Sequence, residues 1–243
     1  MLHALKADLH IHTCLSPCAD LEMSPRSIAG QAKIKEIDIL GICDHNSAEN
    51  VPALMKAAHK WDIQILPGIE VTSQEEVHIL GLFEDPENAF LLQDKIYANL
   101  HGENDENAFG SQVVVNHKGE VLRFNKKLLI GASTLPLEEV IDTIHSLGGL
   151  AIASHIDREG FSIIGQLGFI PENLSLDALE ISPLMTYEDA AKKFNPSFPL
   201  TSSSDAHFLK DIGRSTTTFF IAERTLQEIK KAFLNKEGRK IIH

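Results

Sequence analysis

Short apolar runs alternate with amphipathic stretches along the chain, the rhythm of a protein that packs helices against a largely parallel sheet. Ala7 to Ile11 reads as a first strand. After a turn rich in Ser, Pro and Cys, Ser24-Pro25 opens a helix, Ser as N-cap and Pro at the first helical position, running to about Lys35. A strand over Ile37 to Cys43, a helix over Val51 to Trp61, a strand over Ile63 to Pro67 and an apolar stretch over Val77 to Phe83 come next. From Asp85 to about Leu137 the rhythm breaks into a polar section. Within it Val113 to Val115 and Val121-Leu122 flank Lys118-Gly119, a small hairpin, which predicts an insert or lid over about 85–137. The pattern resumes with a helix over Leu137 to Leu147, stopped by Gly148-Gly149, and a strand over Leu150 to Ser154. Strand Ala178 to Ile181, helix Tyr187 to Phe194, strand Leu200 to Ser203 and helix Leu226 to Asn235 complete it, with no internal repeat. One domain over 1–243 is expected, since this length with 43% hydrophobic residues can build one large core.

The polar residues gain meaning from where they fall on those strands. Asp8, His10 and His12 lie in DLHIHT, and two histidines two apart on an extended chain point to one side. Asp44 and His45 come directly after the second strand, Glu70 comes after Pro67-Gly68, and His78 begins HILG. His155 ends the strand before it, as do Asp205 and His207 in SSSDAH. In sheets and barrels of this class, active sites are built at the carboxyl ends of parallel strands. A lone histidine there is more commonly a hydrogen-bonded core or surface residue, and Asp44 and Asp205 could simply cap the segments after them. Five separate strand-end motifs carrying His, Asp or Glu reverse that judgement. His3, His59, His101, His145 and His243 hold no comparable position, and His117 lies in the hairpin. Imidazoles with carboxylates suit zinc, manganese or iron, and a carboxylate such as Glu70 can bridge two ions.

Composition narrows the partners. Lys and Arg number 22 against 34 Asp and Glu, a formal charge of -12, which argues against long duplex nucleic acid and anionic membranes while leaving a small phosphorylated substrate open. No secretion signal or long apolar run is present, and the three cysteines, Cys14, Cys18 and Cys43, do not form a disulfide framework. A cytoplasmic protein with reduced thiols is expected.

DLHIHT, CDHN, PGIE, HILG, SHIDR and SDAH, in this order, resemble the PHP (polymerase and histidinol phosphatase) superfamily from Ala7 to about Ile221. The resemblance implies a distorted (βα)7 barrel whose C-terminal strand ends hold two to three divalent metals, zinc, manganese or iron, and a phosphoesterase activity in which a metal-activated water attacks phosphorus. By the same resemblance, His10, His12, Glu70 and Asp205 correspond to ligands of a first metal, Glu70, His78 and His155 to those of a second, and His45 and His207 to those of a third. The first loop departs from the family, with Pro17 where relatives carry a carboxylate. Counting back from the helix start favours Asp20 as the remaining ligand, with Cys18 as its rival. Arg158 corresponds to a substrate-side arginine, and Asp205 and His207 to further groups at the reacting centre. Asp8 and Asp44 would orient metal-bound histidines. A nucleotide or short oligonucleotide is the favoured substrate, histidinol phosphate the alternative within the class, and a non-catalytic accessory module the alternative outside it.

Overall fold

A computed structural model describes residues 1–194 and 197–242. Strand β1 (His3–Ile11) is followed by α1 (Pro25–Ile34), β2 (Ile39–Ile42), α2 (Val51–Ala58), β3 (Gln64–Thr72) and β4 (His78–Leu82). Next come α3 (Pro86–Ala98), a short α4 (Glu106–Phe109), the hairpin strands β5 (Val113–Val115) and β6 (Val121–Phe124), α5 (Leu137–Ser146) and β7 (Leu150–Ala153). The last part contains α6 (Ile163–Leu167), β8 (Ala178–Ile181), α7 (Tyr187–Phe194), β9 (Leu200–Ser202), β10 (Thr217–Ile221), α8 (Leu226–Phe233) and β11 (Lys240–Ile242).

Nine strands form one sheet in the order β11-β10-β1-β2-β3-β4-β7-β8-β9. It curls far enough that Ala206, beyond the end of β9, bridges in parallel to Ile11 at the end of β1. The first half of β1 pairs instead with β10, antiparallel from His3 opposite Ile221 to Ala7 opposite Thr217. A mixed α/β fold is therefore correct, but the strand and helix alternation is not regular. β4 returns antiparallel between β3 and β7. That reversal puts His78, the first residue of β4, at the same end of the sheet as residues that come after the parallel strands.

Two apolar layers flank the sheet. The inner one joins Ala7, Leu9, Ile39, Leu66, Leu80, Leu82, Leu150, Ile152 and Ala178 to Phe219 of β10 and to Leu226, Ile229 and Phe233 of α8. The outer one lies under α1, α2, α3 and α5, with Ile28, Leu54, Leu92 and Ile144 fully buried. Side chains of one strand normally alternate between such layers. β1 does not keep one alternation: its register against β2 shifts between Asp8 and Ile11, a β-bulge. Below the bulge, Ala7 and Leu9 point into the inner layer. Above it, His10 and His12 turn toward Glu70 on β3, and Ile11 joins the outer layer. Gly41 makes room for this, because a Cβ there would lie 2.2 Å from the Leu9 carbonyl oxygen.

Residues 86–98, inside the section expected to be an insert, form a helix that buries Ala89, Leu92 and Ile96. The hairpin itself is present, tied down by Asn50, whose side chain donates to the Val113 carbonyl at 3.0 Å and accepts from the Val115 amide at 2.9 Å. Asn46 fixes the far end of the segment by donating to the carbonyls of Leu129 and Gly131, each at 2.8 Å. Among the described residues no helix is long and apolar enough to cross a membrane.

Candidate metal centre

Glu70 stands near the C-terminal end of β3, almost fully buried, and five imidazoles surround its carboxylate. His78 Nδ1 lies 2.9 Å from it, His45 Nδ1 3.0 Å, His155 Nε2 3.3 Å, and the Nε2 atoms of His10 and His12 3.4 Å each. Asp205 approaches from the opposite side of the ring, with Oδ1 3.1 Å from His12 Nε2 and 3.4 Å from His10 Nε2. His10 and His12 arrive from the end of β1, and the others from the ends of β2, β3, β4, β7 and β9. His155 and Asp205 do so with positive φ, 29° and 48°, a backbone conformation that costs on the order of 1–3 kcal/mol and clusters at functional sites.

Three groups of side chains offer ligand atoms mutually within 4.8 Å: His10 with His12 and Asp205, His45 with Glu70 and His78, and His12 with His45 and His207. The hydrogen bonds behind them set the tautomers. His10 Nδ1 donates to Glu180 Oε1 at 2.9 Å. His12 Nδ1 donates to Ser16 Oγ at 2.9 Å, and that hydroxyl donates onward to Asp44 at 2.7 Å. With Nδ1 engaged in each ring, both Nε2 atoms turn inward and lie 3.1 Å apart, so either a proton held on His10 or a metal ion must sit between them. Separations of 3.1–3.4 Å are close to the edge of a tetrahedron with ligands about 2.0–2.1 Å from a metal. His45 Nδ1 and His78 Nδ1, buried and close to Glu70 but without hydrogen-bond geometry toward it, belong to the same ring. The residues present fit divalent metal ions.

The electrostatics of the protein groups are strongly coupled. Burial alone would raise the Glu70 carboxyl, but the charges of His78, His10 and His45 bring it well below its ordinary value. Asp205 is lowered in the same way against its burial, by His10 and His12. Burial works against protonation of His10, and Glu180, Glu70 and Asp205 overcome it, holding that imidazole well above its ordinary range. His12 is pushed well below by burial and by the neighbouring His207.

Most residues expected from the sequence thus converge, but three assignments change. Asp8 does not orient a histidine. It is buried at the seam where β1 meets the chain after β9, and accepts from the amides of Ser204 and Gly213, each at 2.9 Å. Asp44 reaches His12 only through Ser16. Asp20 spends its carboxylate on a local turn, accepting from the Glu22 amide at 2.7 Å, while its own amide donates to the His207 carbonyl. The side chain that lines the cleft beside His45 and His207 is Cys18. Burial would raise that thiol, but hydrogen bonds to His207 and His45 bring it down to about 6.

Two residues of the centre, Glu180 and Ser16, belong to none of the sequence motifs. Glu180 sits inside the apolar strand ALEI and is 1% exposed, so its signal is a charged residue where a core position is due. His3, His59, His101, His117 and His145 lie outside the ligand groups, His145 being paired with Asp177 at 2.8 Å, and His243 lies outside the described residues.

A cleft of about 360 Å³ opens above the ring, lined by Cys18, His45, His155, Arg158, Phe161 and Ile130 among others. Arg158 places Nη1 2.6 Å from Asp205 Oδ2. Phe161 stacks on His78 with ring centroids 4.7 Å apart. Ile130 comes from the segment that Asn46 anchors.

The family profile described as PHP domain matches residues 8–159, which contain His10, His12, His45, Glu70, His78 and His155. The chain belongs to the PHP domain family. A second profile, PHP-associated, matches 188–237, which includes Asp205 and His207. As a PHP protein the chain is a metal-dependent hydrolase acting on phosphoester bonds. It is 26% identical over 192 residues to a 5'-3' exoribonuclease of Haemophilus influenzae, covering 62% of this chain and 68% of that one. Among solved structures it is similar to a lesion-specific endonuclease of Pyrococcus furiosus, with TM-score 0.73 and 22% identity, and covers 58% of that chain's length against 98% of its own. It is also similar to endonuclease Q in complex with a 27-mer duplex substrate carrying an abasic lesion, with TM-score 0.71, 22% identity and the same coverage. That complex overturns the exclusion of long duplex nucleic acid drawn from net charge. A total of -12 averages over the whole surface, whereas binding depends on the local field and on any metal charge.

Proposed function

We propose that this PHP domain hydrolyses phosphate esters of nucleotides or oligonucleotides at a centre of two or three divalent metals. The observation that carries the reading is the carboxylate of Glu70 within 3.4 Å of five imidazole nitrogens. His10, His12, Glu70 and Asp205 would hold a first ion, Glu70, His78 and His155 a second, and His45, His207 and Cys18 a third. When bound, such ions acidify a water and screen the negative phosphoryl oxygens.

The chain's own groups supply the rest. Arg158 is fixed by Asp205 at 2.6 Å, and the donors it does not spend there can grip non-bridging phosphate oxygens in a fork. His207 donates from Nδ1 to the Asp205 carbonyl at 3.0 Å, which leaves Nε2 as the atom that binds a metal or exchanges a proton. Phe161 walls one side of the cleft with an exposed aromatic face, a surface suited to a base or sugar. The likeness to an exoribonuclease supports a nucleotide-type substrate over histidinol phosphate.

The test is phosphate or nucleotide release by manganese- or zinc-loaded protein from mononucleotides, nucleoside bisphosphates, short RNA, an abasic duplex and histidinol phosphate. Turnover of a nucleotide-type ester, abolished in His155→Ala, is expected. Protein with at least two bound equivalents and no turnover of any of these esters would refute it.

A further inference from the structure

We infer that a second cavity, walled by Arg26, Lys56, Lys60, His117 and Lys118, is an anion subsite that holds backbone phosphates of a polynucleotide strand. This rests on the nucleic-acid reading proposed above. The cavity measures about 280 Å³, and apart from Ala57 every residue lining it is a cation or a histidine. They come from three places in the fold: the first turn of α1, the end of α2 with the turn after it, and the tip of the β5–β6 hairpin.

In a chain with 34 acidic and 22 basic residues, such a grouping runs against the composition. Its pairing is also unusual. Arg123, Arg158, Arg214, Arg224 and Arg239 each have a carboxylate within 4.0 Å, and among the described residues Arg26 has none. Lys56, Lys60 and Lys118 make no ion pair among the described residues either, as is common for the lysines of this chain, so the unpaired guanidinium of Arg26 is the distinguishing feature; Lys60 lies over the Trp61 ring at 4.8 Å. Converging cations without counter-charges repel one another, and the arrangement is relieved by a multivalent anion. A guanidinium with all its donors unspent on carboxylate matches phosphate oxygens bidentately, and flanking lysines add charge without demanding geometry. The site lies on the outer surface of α1 and α2 rather than in the metal cleft, so it would take phosphates of the strand away from the bond being cut. Such contacts tighten long substrates and leave short ones alone.

The experiment compares metal-loaded wild type with the triple variant Arg26→Gln, Lys56→Gln, Lys60→Gln, and with Lys118→Gln alone as a milder change, each verified as folded by circular dichroism. Binding of phosphorothioate-linked oligonucleotides of increasing length is measured across salt concentrations, with inorganic phosphate and a small aryl nucleotide ester as further probes. The triple variant should bind long strands at least tenfold more weakly, with a salt slope reduced by about two, since each phosphate contact on a single strand contributes about 0.7. Its turnover of the small ester should be unchanged. Unaltered long-strand affinity and salt slope would overturn the subsite, and so would a variant that loses inorganic phosphate binding while keeping full strand affinity. Absent small-ester turnover in wild type would count against the phosphoesterase reading alone, because the strand-binding comparison decides the subsite independently.

Discussion

Glu180 Oε1 accepts the Nδ1 proton of His10 at 2.9 Å, so a carboxylate on β8 decides which nitrogen a histidine on β1 offers to the centre. Partners of this kind typically govern about 10–100-fold of metal affinity. Glu180→Gln should lower metal affinity by about that factor, measured by competition with a chromophoric chelator, and circular dichroism should stay native. Unchanged affinity would mean that His10 is oriented by packing alone.

Metal loading should be linked to proton release. The stability that protonated His10 and His45 lend the metal-free protein is complete below the ordinary imidazole value of 6.5 and is lost as pH rises through their raised folded values. His12, lowered, has the opposite sense, its contribution being lost as pH falls below 6.5. Ions must displace the protons held by His10, His45 and His207, so binding near neutral pH should release protons and tighten as pH rises. Calorimetry in buffers of different ionisation enthalpy reads this directly. A binding heat that does not depend on buffer would contradict it.

Asp8 offers a separate test at the seam. Burial raises its carboxyl from 3.8 to about 6, against the hydrogen bonds from Ser204 and Gly213 that pull it down. The native state therefore binds a proton that the unfolded chain releases, and stability from this group is lost as pH rises between those two values. Asp8→Asn sets an amide NH2 against one of the two backbone donors and should cost about 1–3 kcal/mol. In urea unfolding, the advantage of wild type over the variant should be largest in acid and shrink across that window. A constant difference would sink the assignment.

Cys18 and Asp20 can be told apart by spectroscopy. A thiolate ligand gives a sulfur-to-cobalt charge-transfer band in cobalt-substituted protein. Cys18→Ser should abolish that band and lower the bound metal by about one equivalent, whereas Asp20→Asn should leave both unchanged. The reverse pattern would restore Asp20.

Much of the fold and of the centre is legible in the sequence, and the remainder is hidden for definable reasons. Ligands at strand ends can be found because each interrupts an apolar run at its polar boundary. The direction of β4 cannot, since a short run such as HILGL reads the same in either orientation and places His78 correctly only once β4 is antiparallel. The helix Pro86–Ala98 is obscured by the charged residues on its outer side, although Asp85-Pro86 marks its start. The strand Thr217–Ile221 escapes notice because Thr-Thr-Phe-Phe-Ile shows no alternation of polar and apolar residues. Glu180 is hidden because a single glutamate in a strand ordinarily faces water, and only the curl of the sheet shows that it faces His10.

Gly41 tests the bulge. Gly41→Ala drives a methyl into the Leu9 carbonyl and should destabilise by about 1–3 kcal/mol or more, with a parallel loss of metal affinity, because relief of the clash moves the backbone that carries His10. Destabilisation with intact affinity would show that the ligands are fixed independently of β2.

The extra residue in β1 also has a meaning for how this chain can vary. Its lower half answers to the solvent-free interior and its upper half to the reacting centre, and one unpaired position keeps the two reading frames apart. Substitutions at Ala7 or Leu9 can then be traded against other interior side chains without re-aiming an imidazole. Loss of a single residue between Asp8 and Ile11 would merge the frames, turning a change that most strands absorb as a slip into simultaneous loss of packing and of chemistry.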